Sequence, residues 1–277
     1  MKKIFIILFM LIPLALCAQE KAIYRITYEC DALHKKVRQV YRWNLDIGQR
    51  TAVFYSPNYR QHSKLFDSVQ TSDNLVAAMD EIKRLAAKYP NRSCMEVLIG
   101  LPEIGHYTYI NKAGIDNQFI YEEKMPAIEW QLTDSVKMVS GYRCHRAETE
   151  VYGRKWIVWY APEIPLSYGP YILGGLPGLI LEAVDSEHLF SFTTVGIENI
   201  TDDSKVELFG EKEAIKCSRG KYLALRQKSV GQTYKEAVNQ LLGGSSKVIE
   251  IKDASGKEIS NQIMADVNYL DLTHWRN

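Results

Sequence analysis

The sequence predicts an α+β protein: a mostly antiparallel, curved and half-barrel-like β-sheet packed on one or two helices. Three observations carry this. Apolar and polar residues alternate with period two through most of the chain. Aromatic residues are plentiful and tyrosine leads them, with 17 copies, a bias that suits strands more than helical bundles. Helical spacing of apolar residues appears in only two stretches.

The first strand places Tyr24, Ile26, Tyr28 and Cys30 on one face, against Arg25, Thr27 and Glu29. The second sets Val37, Tyr41, Trp43, Leu45 and Ile47 against Arg38, Arg42, Asn44 and Asp46. One polar face and one apolar face define a half-buried antiparallel strand. Ile47-Gly48-Gln49 turns the chain into a third, over 51–55. A helix follows, capped by Asp73, with Leu75, Met79, Ile82, Ala86 and Tyr89 as its stripe and Pro90 as its stop. Strands resume at Met95–Ile99, His106–Asn111, Gln118–Glu122 and Ile128–Leu132. Tyr142–Val151 and Arg154–Ala161 flank Tyr152-Gly153, which predicts a two-residue hairpin turn. A proline- and glycine-rich connection, Pro162 to Gly178, leads to Leu179–Val184 and Leu189–Ile197. Thr233 and Glu236 form a capping box ahead of Ala237, Val238, Leu241 and Leu242, and Val248–Ile251 adds a last strand.

The N-terminus predicts export. Lys2 and Lys3 precede an apolar stretch from Ile4 to Leu16, and Cys17, Ala18 and Gln19 offer a cleavage site, so residues 1–18 read as a signal peptide. Lipidation at Cys17 is the rival reading, and bulky Leu16 argues against it. The single β-rich domain then spans 19–277, in the periplasm or associated with the outer membrane. No transmembrane segment is expected in the mature chain. Losing Lys2 and Lys3 takes the formal charge from +1 to −1, which leaves no footprint for nucleic acid. Cys30, Cys94, Cys144 and Cys217 remain. They permit disulfides in an oxidising compartment, or serve as buried free thiols; no Cys-x-x-Cys occurs.

The run from Trp156 to Glu182 is the most distinctive. It contains Gly175, Leu176, Pro177, Gly178, Leu179 and Ile180, and upstream of it stand Gly141-Tyr142-Arg143-Cys144 and Gly153-Arg154. Over about 50 residues the chain resembles the GLPGLI family of secreted bacterial envelope proteins. That family is of uncharacterised function, so the resemblance implies an envelope protein and brings no catalytic residue or cofactor. Physically, the glycines permit close backbone approach and the prolines stiffen the connection. The segment therefore reads as a rigid crossover locking a strand into the sheet. A sharper reading is a ligand- or partner-binding rim, in which Trp156, Trp159, Tyr160, Tyr168 and Tyr171 supply rigid aromatic area.

Motifs for catalysis do not assemble. There is no Gly-x-Ser-x-Gly elbow and no His-Glu-x-x-His, and no two histidines lie within 27 residues. Cys144 and His145 are strand neighbours and point to opposite faces, which argues against a metal site there. Glu182, Asp185, Glu187 and His188 form the best polar cluster, which reads as a solvated turn. Glu182 sits in an apolar strand and is expected to pair with Arg154 or Arg146. The functional expectation is a non-enzymatic envelope protein without cofactor or metal. It binds an apolar ligand, an acyl chain or peptide, on the curved sheet. Docking to an outer-membrane protein, or a hydrolase with dispersed residues, are the alternatives.

Overall fold

The computed structural model describes residues 20–229, except 35–36, 71–74, 91–92 and 114–116, together with a few single residues between 233 and 258. The expected signal peptide and the Val248–Ile251 strand lie outside the described residues. Twelve strands form one sheet: β1 Tyr24–His34, β2 Val37–Ile47, β3 Ala52–Tyr55, β4 Glu96–Ile99, β5 His106–Lys112, β6 Gln118–Lys124, β7 Gln131–Val139, β8 Tyr142–Val151, β9 Arg154–Ala161, β10 Leu179–Asp185, β11 Phe190–Asn199 and β12 Ile215–Lys216. Among the described residues, three α-helices of more than one turn accompany them: α1 Pro57–Gln70, α2 Leu75–Lys88 and α3 Arg219–Ser229.

The sheet order is β12-β6-β5-β4-β3-β2-β1-β11-β10-β9-β8-β7. Two meanders, β1–β6 and β7–β11, are thus joined by the antiparallel pair β1–β11. Only the short β12 runs parallel to its neighbour, β6. This order forces the sheet to curl. Strands β6 and β7 stand ten places apart in it, which in a flat sheet would be about 48 Å at ~4.8 Å per strand. Yet only residues 125–130 connect them, a reach of no more than about 25 Å. The two meanders must therefore face each other. Contacts across the fold agree: Tyr107 on β5 meets the hydroxyl of Tyr152, in the β8–β9 turn, at 2.9 Å.

The core lies between the two facing halves. Trp43 stacks on Phe54 with ring centroids 4.8 Å apart, Phe54 meets Phe192 edge-on at 6.1 Å, and Phe192 meets Trp156 at 6.2 Å. The connection between β9 and β10 drives Tyr171, Ile172, Leu173 and Leu176 into the same cluster. A second, smaller cluster on the back of the first meander joins Val53, Tyr55, Leu98, Ile110 and Ile120 to Val206 and Leu208. There a buried network ties β1–β4 to α1. Arg60 forks onto Glu96 at 2.8 and 2.7 Å, and its guanidinium lies 3.6 Å from the Tyr55 ring centroid. Tyr55 donates to Asp46, which Arg25 also clamps at 2.7 and 2.8 Å.

These findings correct the α+β half-barrel expectation. The protein is mostly β, an open twelve-stranded sheet folded over on itself. Its concave side is filled by the facing half rather than by helices. The described helices are peripheral: α2 packs on α1, and α3 contributes mainly Tyr222. Helix α1 escaped prediction because Arg60, His62 and Ser63 interrupt its apolar stripe of Tyr59, Phe66 and Val69, and β12 because two residues carry no periodicity. The strand expected at Ile128–Leu132 begins instead at Gln131, since Ile128 and Trp130 are spent on the connection between the meanders. Other expectations hold. Tyr152 and Gly153 take φ of 49° and 75°, the paired left-handed residues of a tight hairpin. The capping box forms as well, with Glu236 N–H donating to the Thr233 hydroxyl and Thr233 N–H to the Glu236 carboxylate. The remainder of that helix lies largely outside the described residues.

Candidate functional site

Backbone packing fixes the crossover between β9 and β10. At Gly178 a Cβ would stand 2.3 Å from the Ala161 carbonyl oxygen and 2.8 Å from the Pro162 nitrogen, so only glycine fits. At Gly174 it would meet the Ser167 carbonyl oxygen at 2.8 Å. Hydrogen bonds then fasten the loop to β10: Leu179 N–H donates to Ile164 O and Ile180 N–H to Tyr168 O, each at 3.0 Å. Tyr28, from β1, donates its hydroxyl to Ile180 O at 2.7 Å. The six motif residues therefore split by role: Gly178 permits the approach, Leu176, Leu179 and Ile180 are buried, and Gly175 and Pro177 are exposed.

Where this crossover faces the linker 125–130, an apolar cleft of about 220 Å³ opens. Met125, Pro126 and Ile128 form one wall, Tyr168 and Leu173 the other. Beside it, Trp130 donates its indole N–H to Gly174 O at 2.9 Å. Tyr168 is half-buried, and burial raises its phenol pKa above the ordinary value. On the far side of the linker lies an open polar groove of about 480 Å³.

Of the aromatic residues expected at a rim, only Tyr168 reaches the apolar cleft. Trp156, Tyr160 and Tyr171 are buried in the core. Trp156 and Tyr160 are there because strand alternation turns them inward, and Tyr171 because its left-handed backbone, φ 60°, turns it that way. Trp159 faces outward and is covered by Lys137, whose ammonium lies 4.4 Å from the ring centroid. That same ammonium donates to Glu182 at 2.6 Å. This corrects the expected partner: Arg146 bonds Glu148, and Arg154 bonds Asp185. The polar cluster near β10 also divides. Glu187 and His188 are exposed, but Asp185 is buried, accepting from Arg154 Nη1 and from Phe190 N–H, each at 2.7 Å. It braces the β10–β11 turn and is not solvated.

Of the two readings open for the cysteines, the structure matches free thiols at Cys30, Cys94, Cys144 and Cys217. They belong to separate elements, and burial pushes all four up from the ordinary thiol value, Cys144 to about 11. Such thiols are poor nucleophiles. No cluster of metal-ligating side chains occurs among the described residues. Likewise, no described helix is long and apolar enough to cross a membrane.

Sequence reasoning missed the cleft because its linker wall read as a strand. The signal was the apolar run Met125-Pro126-Ala127-Ile128, whose proline disfavours a strand, ahead of polar Glu129 and Gln131.

The family model described as "N-glycanase peptide, N-terminal domain" matches residues 102–219, which include both cavities except Ile99. No curated protein matches. Among solved structures, the chain is similar to PNGF-II in its C2 crystal form, with a TM-score of 0.51 at 15% identity over 84% of this chain and 36% of that one. The P21 form gives 0.50 at 15% identity, over 76% and 34%. A LolA superfamily protein from Nitrosomonas europaea aligns over 69% of this chain and 89% of its own at 8% identity, but its TM-score of 0.25 carries no argument. The chain spans about a third of the PNGF-II chain it matches, and at 15% identity the likeness to PNGF-II is one of fold.

Proposed function

We propose that this is an exported, non-catalytic recognition module of the GLPGLI type. It acts in the periplasm or at the outer membrane and holds an apolar side chain of a polypeptide in the cleft between the crossover and the linker 125–130. The observation that carries the reading is the cleft itself, an apolar cavity of about 220 Å³ whose one wall is the rigid crossover. Its size suits one or two side chains. The concave face of the sheet is filled by Tyr28, Phe54, Trp156 and Phe192, so an apolar ligand belongs in the cleft and not against the sheet. The carboxylates nearest the motif support a binding role over catalysis, because Glu182 and Asp185 are each engaged in an ion pair. The first eighteen residues, with their basic start and apolar run, support export.

The test is methyl NMR on protein carrying labelled methionine, since Met125 lines the cleft. Titration uses blocked tripeptides with a central leucine, phenylalanine or serine. Burying a leucine or phenylalanine side chain is worth about 2 kcal/mol, so the apolar peptides should bind roughly thirtyfold more tightly than the serine one. The Met125 signal should shift with them, and Tyr168→Ala should weaken the effect. Equal response to all three peptides, or none, would overturn the reading.

A further inference from the structure

The linker that walls the apolar cleft has a second side. Met125, Pro126 and Ile128 line the cleft, whereas Ala127 and Glu129, with Gln131 at the start of β7, line the polar groove on β8 and β9. The groove opens where the β7–β8 pairing ends at Gln131 and Glu148, and the linker leaves the sheet. Both of its ends are pinned. Thr149 donates its hydroxyl to Glu129 O at 2.8 Å, and Ser186 N–H donates to Lys155 O at 2.9 Å.

We propose that this groove is a saccharide site for a neutral sugar of one or two residues, independent of the peptide reading of the cleft. A sugar hydroxyl donates and accepts at once, so its site needs both kinds of group within a few ångströms. Glu129, Glu148 and Glu150 accept, Lys155 donates, and Gln131 and Ser186 do both. Exposed Glu129, Glu150 and Lys155 have no side-chain partner among the described residues and are free to bind. Ile157, half-buried in the lining, offers an apolar surface for the C–H face of a sugar ring. Charge selects within the class. Glu148 is held by Arg146 at 2.6 Å, which leaves two carboxylates against one ammonium. That surplus of negative charge repels phosphates, sulfates and uronates. The volume of about 480 Å³ admits more than a single ring.

Saturation-transfer NMR with the full-length mature protein tests this, using chitobiose, cellobiose, a glucuronate disaccharide and spermidine as separate probes. A neutral disaccharide should bind saturably and the glucuronate should not. Glu150→Ala and Lys155→Ala should each weaken the sugar about tenfold, as loss of a charge-assisted hydrogen bond does. Both positions are exposed, so an unchanged circular dichroism spectrum confirms the fold, and the Met125 response to the leucine tripeptide should survive in both variants. Binding of spermidine without either neutral sugar would overturn the proposal in favour of a cation groove. Absence of binding by every probe, or sugar binding indifferent to both substitutions, would overturn it as well. Failure of the tripeptide response alone would count only against the cleft.

Discussion

Replacing Gly178 with alanine should be among the most damaging single-methyl additions in this protein. The added Cβ would lie 2.3 Å from the Ala161 carbonyl oxygen, where real contacts do not fall below 3.0 Å. The two backbones must part by at least 0.7 Å, and neither neighbour is a side chain that can rotate away. Overpacking of this kind costs about 1–3 kcal/mol. The displacement also strains the hydrogen bonds from Leu179 to Ile164 and from Ile180 to Tyr168, at about 1 kcal/mol for each one lost. A loss of about 3 kcal/mol follows, and with it a fall in Tm of roughly 6–12 °C for a domain of this size. Gly175 is the internal control. Its φ of 85° disfavours alanine, yet no atom lies closer than 3.9 Å to the added carbon. Gly175→Ala should cost about 1 kcal/mol, from left-handed strain partly offset by a stiffer unfolded chain. Equilibrium urea unfolding followed by tryptophan fluorescence measures both, with slopes compared to check that the two-state description holds. If Gly178→Ala lies within about 1 kcal/mol of wild type, or Gly175→Ala is the worse, the close-approach argument fails.

Two further outcomes follow from buried and clamped carboxylates. Asp185→Ala should cost about 3–5 kcal/mol, because it strands the buried Arg154 guanidinium, and Arg154→Met combined with Asp185→Leu should recover part of that loss; a single-variant cost below about 1 kcal/mol would show the pair to be dispensable. Glu20 governs an acid-sensitive step. Partial burial opposes its charge, but hydrogen bonds from the Thr51 hydroxyl and from the Arg50 and Thr51 amides outweigh that and hold its carboxyl below the ordinary value of 4.5. A lowered folded pKa gives stability that is complete above the ordinary value and drains as pH falls through the folded one. The urea midpoint of wild type should therefore fall more between about pH 5 and about pH 3 than that of Glu20→Gln, and parallel curves would refute the assignment.

The strands were legible because alternation is a local property. The limits read for β2, β8 and β9 match those observed, and the Tyr152-Gly153 turn followed from two residues. Curvature was expected, but that the sheet folds over on itself was not legible. It comes from the pairing of β1 with β11, residues 158–175 apart in sequence, and from the shortness of the 125–130 linker. Once the sheet folds over, the inward faces of both meanders become core, which is why Trp156 and Tyr160 are buried although their strands alternate as half-exposed ones do. Glu182 shows the same limit. Its need for a cation could be read from its apolar strand, but Lys137, 45 residues away, is brought to it from the sheet's edge strand.

One short segment links the fold to both cavities. The linker 125–130 is the tether that makes the sheet curl, and it is also the wall between the cleft and the groove. Its apolar side chains meet the crossover, and its polar ones meet β8 and β9. A ligand touching both sides would therefore find an apolar surface and a hydrogen-bonding one separated by the width of a single strand. The tether is held at three points: Met125 N–H donates to Gly105 O at 2.7 Å, Glu129 O accepts from Thr149, and Trp130 donates to Gly174 O. The last of these bonds ends on the crossover itself. The glycines at 174 and 178 fix where that crossover runs, and so fix the distance across which any occupant of the cleft must reach. The motif's glycines would thus act on any occupant of the cleft through geometry: they hold a carbonyl and a tyrosine in place, on the crossover that supplies most of the cleft's lining.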